Sequence, residues 1–307
     1  MPSSAAVSVT GWILGAVLVL GVVAAALAAF VGLSIKGRGT RPALGTARQA
    51  TCDGLRIVYY EAGDGPAVVL LASWARPASD FNELATALHE AGYRTLAVES
   101  RGIGGSGGGG QGQETALHDL ARDVVAVLDA SEVGAPVHLV GHAFGNQVAR
   151  TFASDFPERA LSVALVAAGG RAKVSGTLTT ALLHASLTFM PPSFRERALR
   201  FAFFAPGSEI PDYWMTGWSL WGGLAQNKAA RNKRPEEFWG AGNVPILVLQ
   251  AEDDRVAPAS EAGIPLREEF PDRVTLVNVP KAGHALLPEQ PETIARALVS
   301  FLVSLGR

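Results

Sequence analysis

Two rhythms alternate along most of the chain. Short runs of consecutive apolar residues are separated by longer stretches in which apolar residues recur every third or fourth position. The short runs include AVVLLA (67–72), PVHLVG (136–141), LSVALVAA (161–168), PILVLQ (245–250) and RVTLVNV (273–279). A run that is apolar throughout fits a strand buried on both faces. The longer stretches include DFNELATALHEAG, which stops at Gly92, TALHDLARDVVAVLDA (115–130), a segment starting near Phe144, and the closing PETIARALVSFLVSL. Their spacing predicts amphipathic helices. LRIVYYEAG and YRTLAVES add two further strands. Strands alternating with helices predict an α/β fold, a mostly parallel sheet with helices on both faces.

Two segments break the alternation. Residues 12–35 contain no charged side chain, a run long enough to cross a bilayer as one helix. A cleavable signal carries a basic leading region and a shorter apolar core, and neither is present here. Ala26-Leu27-Ala28 imitates a cleavage site but lies inside the apolar run. The expectation is therefore a single-pass N-terminal transmembrane helix that is retained. Lys36, Arg38, Arg41 and Arg48 follow it and nothing basic precedes it, so the expected place of the C-terminal domain is the cytoplasm, with an exported domain as the alternative. The second break is 171–241, which holds four of the six tryptophans and no strand-like run. Helices inserted between two strands make a lid over the strand ends. Its aromatic residues fit two readings, the wall of an apolar pocket or the core of the lid itself. Trp214 and Trp218 are the expected pocket residues. The chain thus divides into an anchor (1–35), a basic linker (36–52), a first core part (53–170), the lid (171–241) and a second core part (242–307).

Composition narrows the chemistry. The formal net charge of −2 offers no basic field for nucleic acid, and Cys52 is the only cysteine. That excludes an internal disulfide and a zinc site built on several cysteines. No metal or cofactor is expected. RGIGGSGGGGQG (101–112) contains a literal G-x-G-x-x-G, Gly102 to Gly107, but more glycines follow where a phosphate-binding helix should open. Gly104 to Gly108 also spells G-x-S-x-G around Ser106, with no strand leading in and no helix leaving, so Ser106 reads as a loop serine.

The informative turn is VHLVGHAFGNQVAR (137–150), where strand, Gly-flanked turn and helix follow in order. A nucleophile elbow has this architecture and the pattern G-x-S-x-G. Here the pattern is Gly141-His142-Ala143-Phe144-Gly145, and its centre carries only a methyl group. LQAEDDRVAP places Asp253 and Asp254 just after a buried strand, and NVPKAGHALLPEQPE places His284 in the loop before the last helix. In open parallel sheets, sites form beyond the carboxyl ends of the strands, where all three segments fall.

From Leu55 to Arg307 the sequence resembles the α/β-hydrolase-fold superfamily with a helical lid. ESRGIGGS is similar to that family's loop after the fourth strand, VGHAFGNQVAR to its elbow, AEDDRVAP to its acid turn and AGHALLPEQPE to its histidine loop. The resemblance implies that Asp254 is the acid, His284 the base and Ala143 the nucleophile position. It also implies an oxyanion hole made of the backbone N–H groups of Phe144 and Trp74. Ala72-Ser73 stands where members commonly have His-Gly, and Ala251 replaces a usual glycine. His89, His118, His138, His142 and His184 read as structural, Asp253 as a surface neighbour of the acid, and Ser73 as a secondary hydroxyl near the site.

The expected function is a membrane-anchored protein of this fold, hydrolysing a small or medium apolar ester, amide or related carbonyl compound through an Asp-His pair and an oxyanion hole. Three alternatives stay open: a binding or regulatory protein that has lost the reaction, serine-free base chemistry of the lyase or oxygenase type, and a Ser-to-Ala variant of a serine hydrolase.

Overall fold

A computed structural model describes residues 4–35, 41–108, 115–169, 171, 174–231 and 234–306. In chain order the helix α1 (Ser4–Ile35) precedes strands β1 (Thr46–Cys52), β2 (Leu55–Ala62) and β3 (Ala67–Leu71). Helix α2 (Asn82–Glu90), β4 (Arg94–Val98), α3 (Leu117–Ala130), β5 (Val137–His142), α4 (Phe144–Asp155) and β6 (Ala160–Val166) complete the first half. Helices α5 (Gly176–Ser186), α6 (Pro192–Ala202) and α7 (Leu220–Arg231) form the lid. Then follow β7 (Ile246–Ala251), α8 (Gly263–Glu269), β8 (Val274–Val279) and α9 (Pro291–Ser304).

The strands form one sheet in the order β1-β2-β4-β3-β5-β6-β7-β8. β2 runs antiparallel to both β1 and β4, and every other neighbour pair is parallel. The apolar runs are explained by the two cores. Val69, Leu139, Leu165 and Val248 point to one face, packed with α3 and α4, while Val68, Val140, Val166 and Leu249 point to the other, packed with α2 and α9. Each buried aliphatic side chain contributes about 1.5–3 kcal/mol, so polar residues on either face of these strands would be costly. The strand order reverses between β3 and β5. A crevice opens at such a reversal, beyond the carboxyl ends.

Two elements differ from the sequence expectation. The segment 36–52 is not a linker throughout, because β1 occupies Thr46–Cys52 and pairs along its length with β2. Only Ala50 and Cys52 of β1 are buried, so a backbone ladder with little apolar alternation holds it, and periodicity cannot reveal it. Arg41 and Arg48 also belong to the domain: Arg41 forks onto Glu83 and the Ser79 carbonyl, and Arg48 lies 3.5 Å from Glu61. Lys36 and Arg38 lie outside the described residues. The second addition is α8, between β7 and β8.

The glycine-rich loop behaves as a packed turn where it is described. Gly107 opens no helix, and Ser106 is buried, its Oγ donating to the Glu99 carbonyl at 2.9 Å and accepting from Val58 N–H at 2.8 Å. It is structural, as read, but fixed rather than free in direction. Residues 109–112 of the motif lie outside the described residues. The helix α1 holds an 18-residue apolar window, Gly11–Ala28, long enough to cross a membrane.

Candidate active site

Three loops at the carboxyl edge converge. After β5 the backbone turns sharply at Ala143, with φ 47° and ψ −106°, a conformation that L-residues seldom adopt. Such a residue stores about 1–3 kcal/mol of strain, held by its surroundings. The surroundings are the two glycines. A Cβ at Gly141 would meet Asn146 N at 2.4 Å, and one at Gly145 would meet the Leu71 carbonyl oxygen at 1.9 Å. Only hydrogen at both positions lets the turn and α4 press against β3. Behind the turn, Asn146 donates from Nδ2 to the Ala143 carbonyl, and Arg150 donates to Asn146 Oδ1 and the Gly169 carbonyl.

The loop after β3 carries Ser73 and Trp74. The Trp74 indole donates to the Gly223 carbonyl at 2.7 Å, and Ala75 N–H donates to Gln226 Oε1 at 2.7 Å, tying this loop to α7. The Trp74 backbone N–H donates to no group among the described residues. Phe144 N–H is the first donor of α4, without a partner inside the helix. Both residues face the same cavity as Ala143 and His284.

Asp254 follows β7. Its Oδ1 accepts from Val256 N–H and Ala257 N–H, both at 2.8 Å, and its Oδ2 lies 2.9 Å from His284 Nδ1. Burial pushes the carboxyl pKa up, but the facing imidazole and the two N–H groups outweigh it and hold the group below the usual carboxylate range. Asp254 therefore stays ionised and fixes His284 with its proton on Nδ1, leaving Nε2 free to accept a proton. Asp253 is exposed, as expected.

The histidine loop is staked from three sides. Glu289 accepts from Gly283 N–H at 2.8 Å and Leu286 N–H at 3.2 Å, and its other oxygen accepts from Ala205 N–H in the lid. A Cβ at Gly283 would lie 2.5 Å from the Phe203 carbonyl oxygen, so glycine is required there. His142 Nε2 donates to the His284 carbonyl at 2.9 Å. Burial, with His284 adding to it, pushes the His142 pKa down to about 3, so it stays neutral. Sequence reasoning read His142 as structural; its specific task, anchoring the histidine backbone, was not visible there. Glu289 was missed altogether. The only signal was a carboxylate five residues after a Gly-His turn. His89, His118, His138 and His184 each pair elsewhere, with Thr95, Asp155, Ser162 and the Phe194 ring.

A cavity of about 540 Å³ joins these groups. Ser73, Trp74, Ala143, Phe144 and His284 form its floor, and Leu182, Leu183, Leu224, Phe203 and Val256 its apolar walls. Trp214 and Trp218 do not line it, which corrects their expected place. Both are fully buried in the lid core, packed against Phe203 and each other, with ring centroids 5.7 Å apart. Arg76 explains their inward turn: its guanidinium lies 4.6 and 4.7 Å from the two indole rings and pairs with buried Asp80 at 2.7 Å. The same guanidinium donates to the Tyr213 and Thr216 carbonyls, so one buried cation seals the lid to the sheet. Phe203 stands in front of them, its ring 5.9 Å from the His284 ring. Among the described residues no group of three or more His, Cys, Asp or Glu side chains is placed to hold a metal ion.

A parallel sheet reversing between β3 and β5, a strained strand-to-helix turn, and a buried Asp-His pair beneath a helical lid together define the α/β-hydrolase fold. The sequence matches the Alpha/beta hydrolase family over residues 68–297, and the chain belongs to that family. It is 31% identical to a Variovorax paradoxus protein assigned as carbamate hydrolase RutD, over 80% of this chain and 96% of that one. It is 26% identical to a non-heme chloroperoxidase of Streptomyces lividans, over 83% of this chain and 98% of that one. Among solved structures, a thermophilic esterase of Thermogutta terrifontis superposes with a TM-score of 0.72 at 18% identity, covering 86% of this chain and all of the esterase chain. The curated relatives are thus hydrolases and peroxidases of one family.

Proposed function

We propose that this chain is a membrane-anchored hydrolase of small or medium apolar esters, amides or related carbonyl compounds, working without a side-chain nucleophile. The observation that carries the reading is the convergence of a buried Asp254–His284 pair with the Trp74 and Phe144 N–H groups on one apolar-walled cavity. His284 Nε2 takes a proton from a water standing over the Ala143 methyl, and the oxygen of that water bonds to the substrate carbonyl carbon. The carbonyl oxygen gains the electron pair and is met by the two N–H groups. As the tetrahedral species collapses, the leaving oxygen or nitrogen departs with the bonding pair and takes the proton back from His284. Ser-His-Asp sites stripped of a triad member retain about 10³–10⁴-fold catalysis over water from binding and the oxyanion hole, and a working His284 base adds about 10²–10⁴-fold. Helix α1 serves as the anchor, and the basic Lys36 and Arg38 behind it favour a cytoplasmic domain.

The test is hydrolysis of short acyl esters by the full-length protein beside His284→Ala and Ala143→Ser. Measurable turnover by the parent, lowered at least about 10²-fold in His284→Ala, supports the reading. Ala143→Ser should then be faster still and become labelled at residue 143 by serine-directed phosphonates, since the added hydroxyl can pass its proton to His284. An inert parent beside an active, labelled Ala143→Ser would overturn the proposal and leave a site kept for binding.

A further inference from the structure

The anchor and the cavity are linked by how the domain begins. Arg41, the first described residue after α1, lies at the lid edge of the domain. Its guanidinium stacks 3.6 Å over Tyr213 in the lid and forks onto Ser79 and Glu83, where the chain passes from the β3 loop into α2. Pro42 and Leu44 continue the attachment through both ends of the Asn82 amide. The domain is therefore held by its site-bearing edge.

The remaining tether is short. Residues 36–40 are all that separate Ile35, the end of α1, from Arg41. Even fully extended, such a segment reaches only about 20 Å. A domain of this size has a radius of gyration of about 18 Å, and so measures about 45 Å across. With α1 in a bilayer, the Arg41 edge cannot leave the membrane surface by more than a fraction of the domain's width.

The same edge is apolar where it should be polar in water. Val174, Leu183 and Leu224 line the cavity and are nonetheless 38–45% exposed, so they form the rim of its mouth. Phe201, on the neighbouring lid helix, is likewise exposed, and Arg255 lies over its ring at 5.4 Å. Three exposed aliphatic side chains around one opening, with Phe201 on the adjoining helix, mark an interaction surface. An arginine beside a buried-to-exposed aromatic suits an interface whose outer layer carries phosphate.

We propose that the rim formed by Val174, Leu183 and Leu224 rests on the bilayer that holds α1, and that the cavity draws an acyl lipid-phase substrate directly from it. This rests on the membrane-anchor reading above, and it gives the apolar substrate a source. The bilayer is the committed occupant; a soluble protein partner on the same rim is the alternative that the experiment separates.

The experiment uses the full chain in vesicles of phosphatidylcholine and phosphatidylglycerol. An environment-sensitive fluorophore is placed by Leu183→Cys, by Leu224→Cys, or by Glu158→Cys on the exposed turn before β6, at the opposite edge of the sheet. Native Cys52 is buried, which pushes its thiol up to about 11, so it does not compete for label. The proposal expects blue-shifted emission at 183 and 224, lost when the lipids carry nitroxides, and no loss at 158. Protein that floats with the vesicles while 183 and 224 stay unquenched, as a rim kept for a soluble partner would give, overturns the docked rim and leaves the anchor standing. Protein that does not float overturns the anchor reading, and the rim with it.

Discussion

Glu99 provides a perturbation whose size and pH dependence both follow from the structure. It directly follows β4, is 3% exposed, and accepts a single hydrogen bond at 3.1 Å, from Ala78 N–H in the loop that continues from Trp74. Gly104 packs directly on its carboxyl, where a Cβ would lie 2.2 Å from Cδ. Burial pushes its pKa up to about 7; the Ala78 N–H offsets part of that, and nearby Asp80 adds to it. Unfolded, the group titrates near 4.5. At about 1.4 kcal/mol per tenfold change, the difference amounts to about 3 kcal/mol. Because the folded value is the higher one, the folded state holds more protons between 4.5 and about 7, and stability falls as pH rises through that window. Below it the penalty is absent, and above it the penalty is complete. Glu99→Gln keeps the shape and an acceptor for Ala78 while removing the charge. Full-length protein in mild detergent should melt at the same temperature as the variant near the lower limit. At about pH 8 the variant should melt roughly 6–12 °C higher, from about 2–4 °C per kcal/mol for domains of this size. An equal gap at both ends of the range would refute the ionisation argument, as would a variant less stable than the parent in alkali.

The other expectations are briefer. Asp254→Asn should lower any ester turnover about 10²–10⁴-fold, the range a general base supplies, while thermal stability changes little, since it disturbs the tautomer of His284 rather than the packing, as steady-state kinetics and melting curves can show. Arg76→Met leaves the buried Asp80 carboxylate without its partner and should cost about 3–5 kcal/mol, measured by equilibrium unfolding. Trp214→Ala should cost a similar 3–5 kcal/mol, read as a lower melting temperature, because it empties the lid core behind Phe203. Burial pushes His142 and His138 down to about 3 and 4, so both resist charging in the folded state. Their stability contribution is present above 6.5 and lost as pH falls toward those values, a trend opposite to that of Glu99 and cancelled when Glu99→Gln is compared with its parent.

Much of this arrangement was legible in the residue pattern, for reasons that differ by element. Strands β3, β5, β6 and β7 are covered on both faces, so each writes itself as an unbroken apolar run. β1 lies at the sheet edge with two buried side chains, and its ladder of backbone bonds leaves no trace in residue type. Gly141, Gly145 and Gly283 were legible because close backbone approach admits no substitute, and they locate the elbow and the histidine turn. The lid tryptophans were not, since an indole that walls a pocket and one that fills a core look alike in sequence. Their placement depends on Arg76, which is distant in the chain and reveals its role only when its guanidinium is seen between the rings. Glu289 was hidden for a related reason: a carboxylate that caps backbone N–H groups has no partner side chain to betray it.

Ala143 keeps the left-handed turn that an elbow imposes, although alanine gains nothing from that conformation. The turn does two other things. It leaves the Phe144 N–H at the head of α4 without a helical partner in a residue that lines the cavity, and it packs Gly145 against the Leu71 carbonyl of β3. A relaxed turn would lift α4 away from β3 and the loop that follows it. The turn therefore has a packing role independent of any hydroxyl at 143, and it suits the oxyanion hole proposed above. The turn, the Asp254–His284 pair and the Glu289 contacts hold three loops around one cavity, and the water-using hydrolase proposed above is the reading that employs all of them.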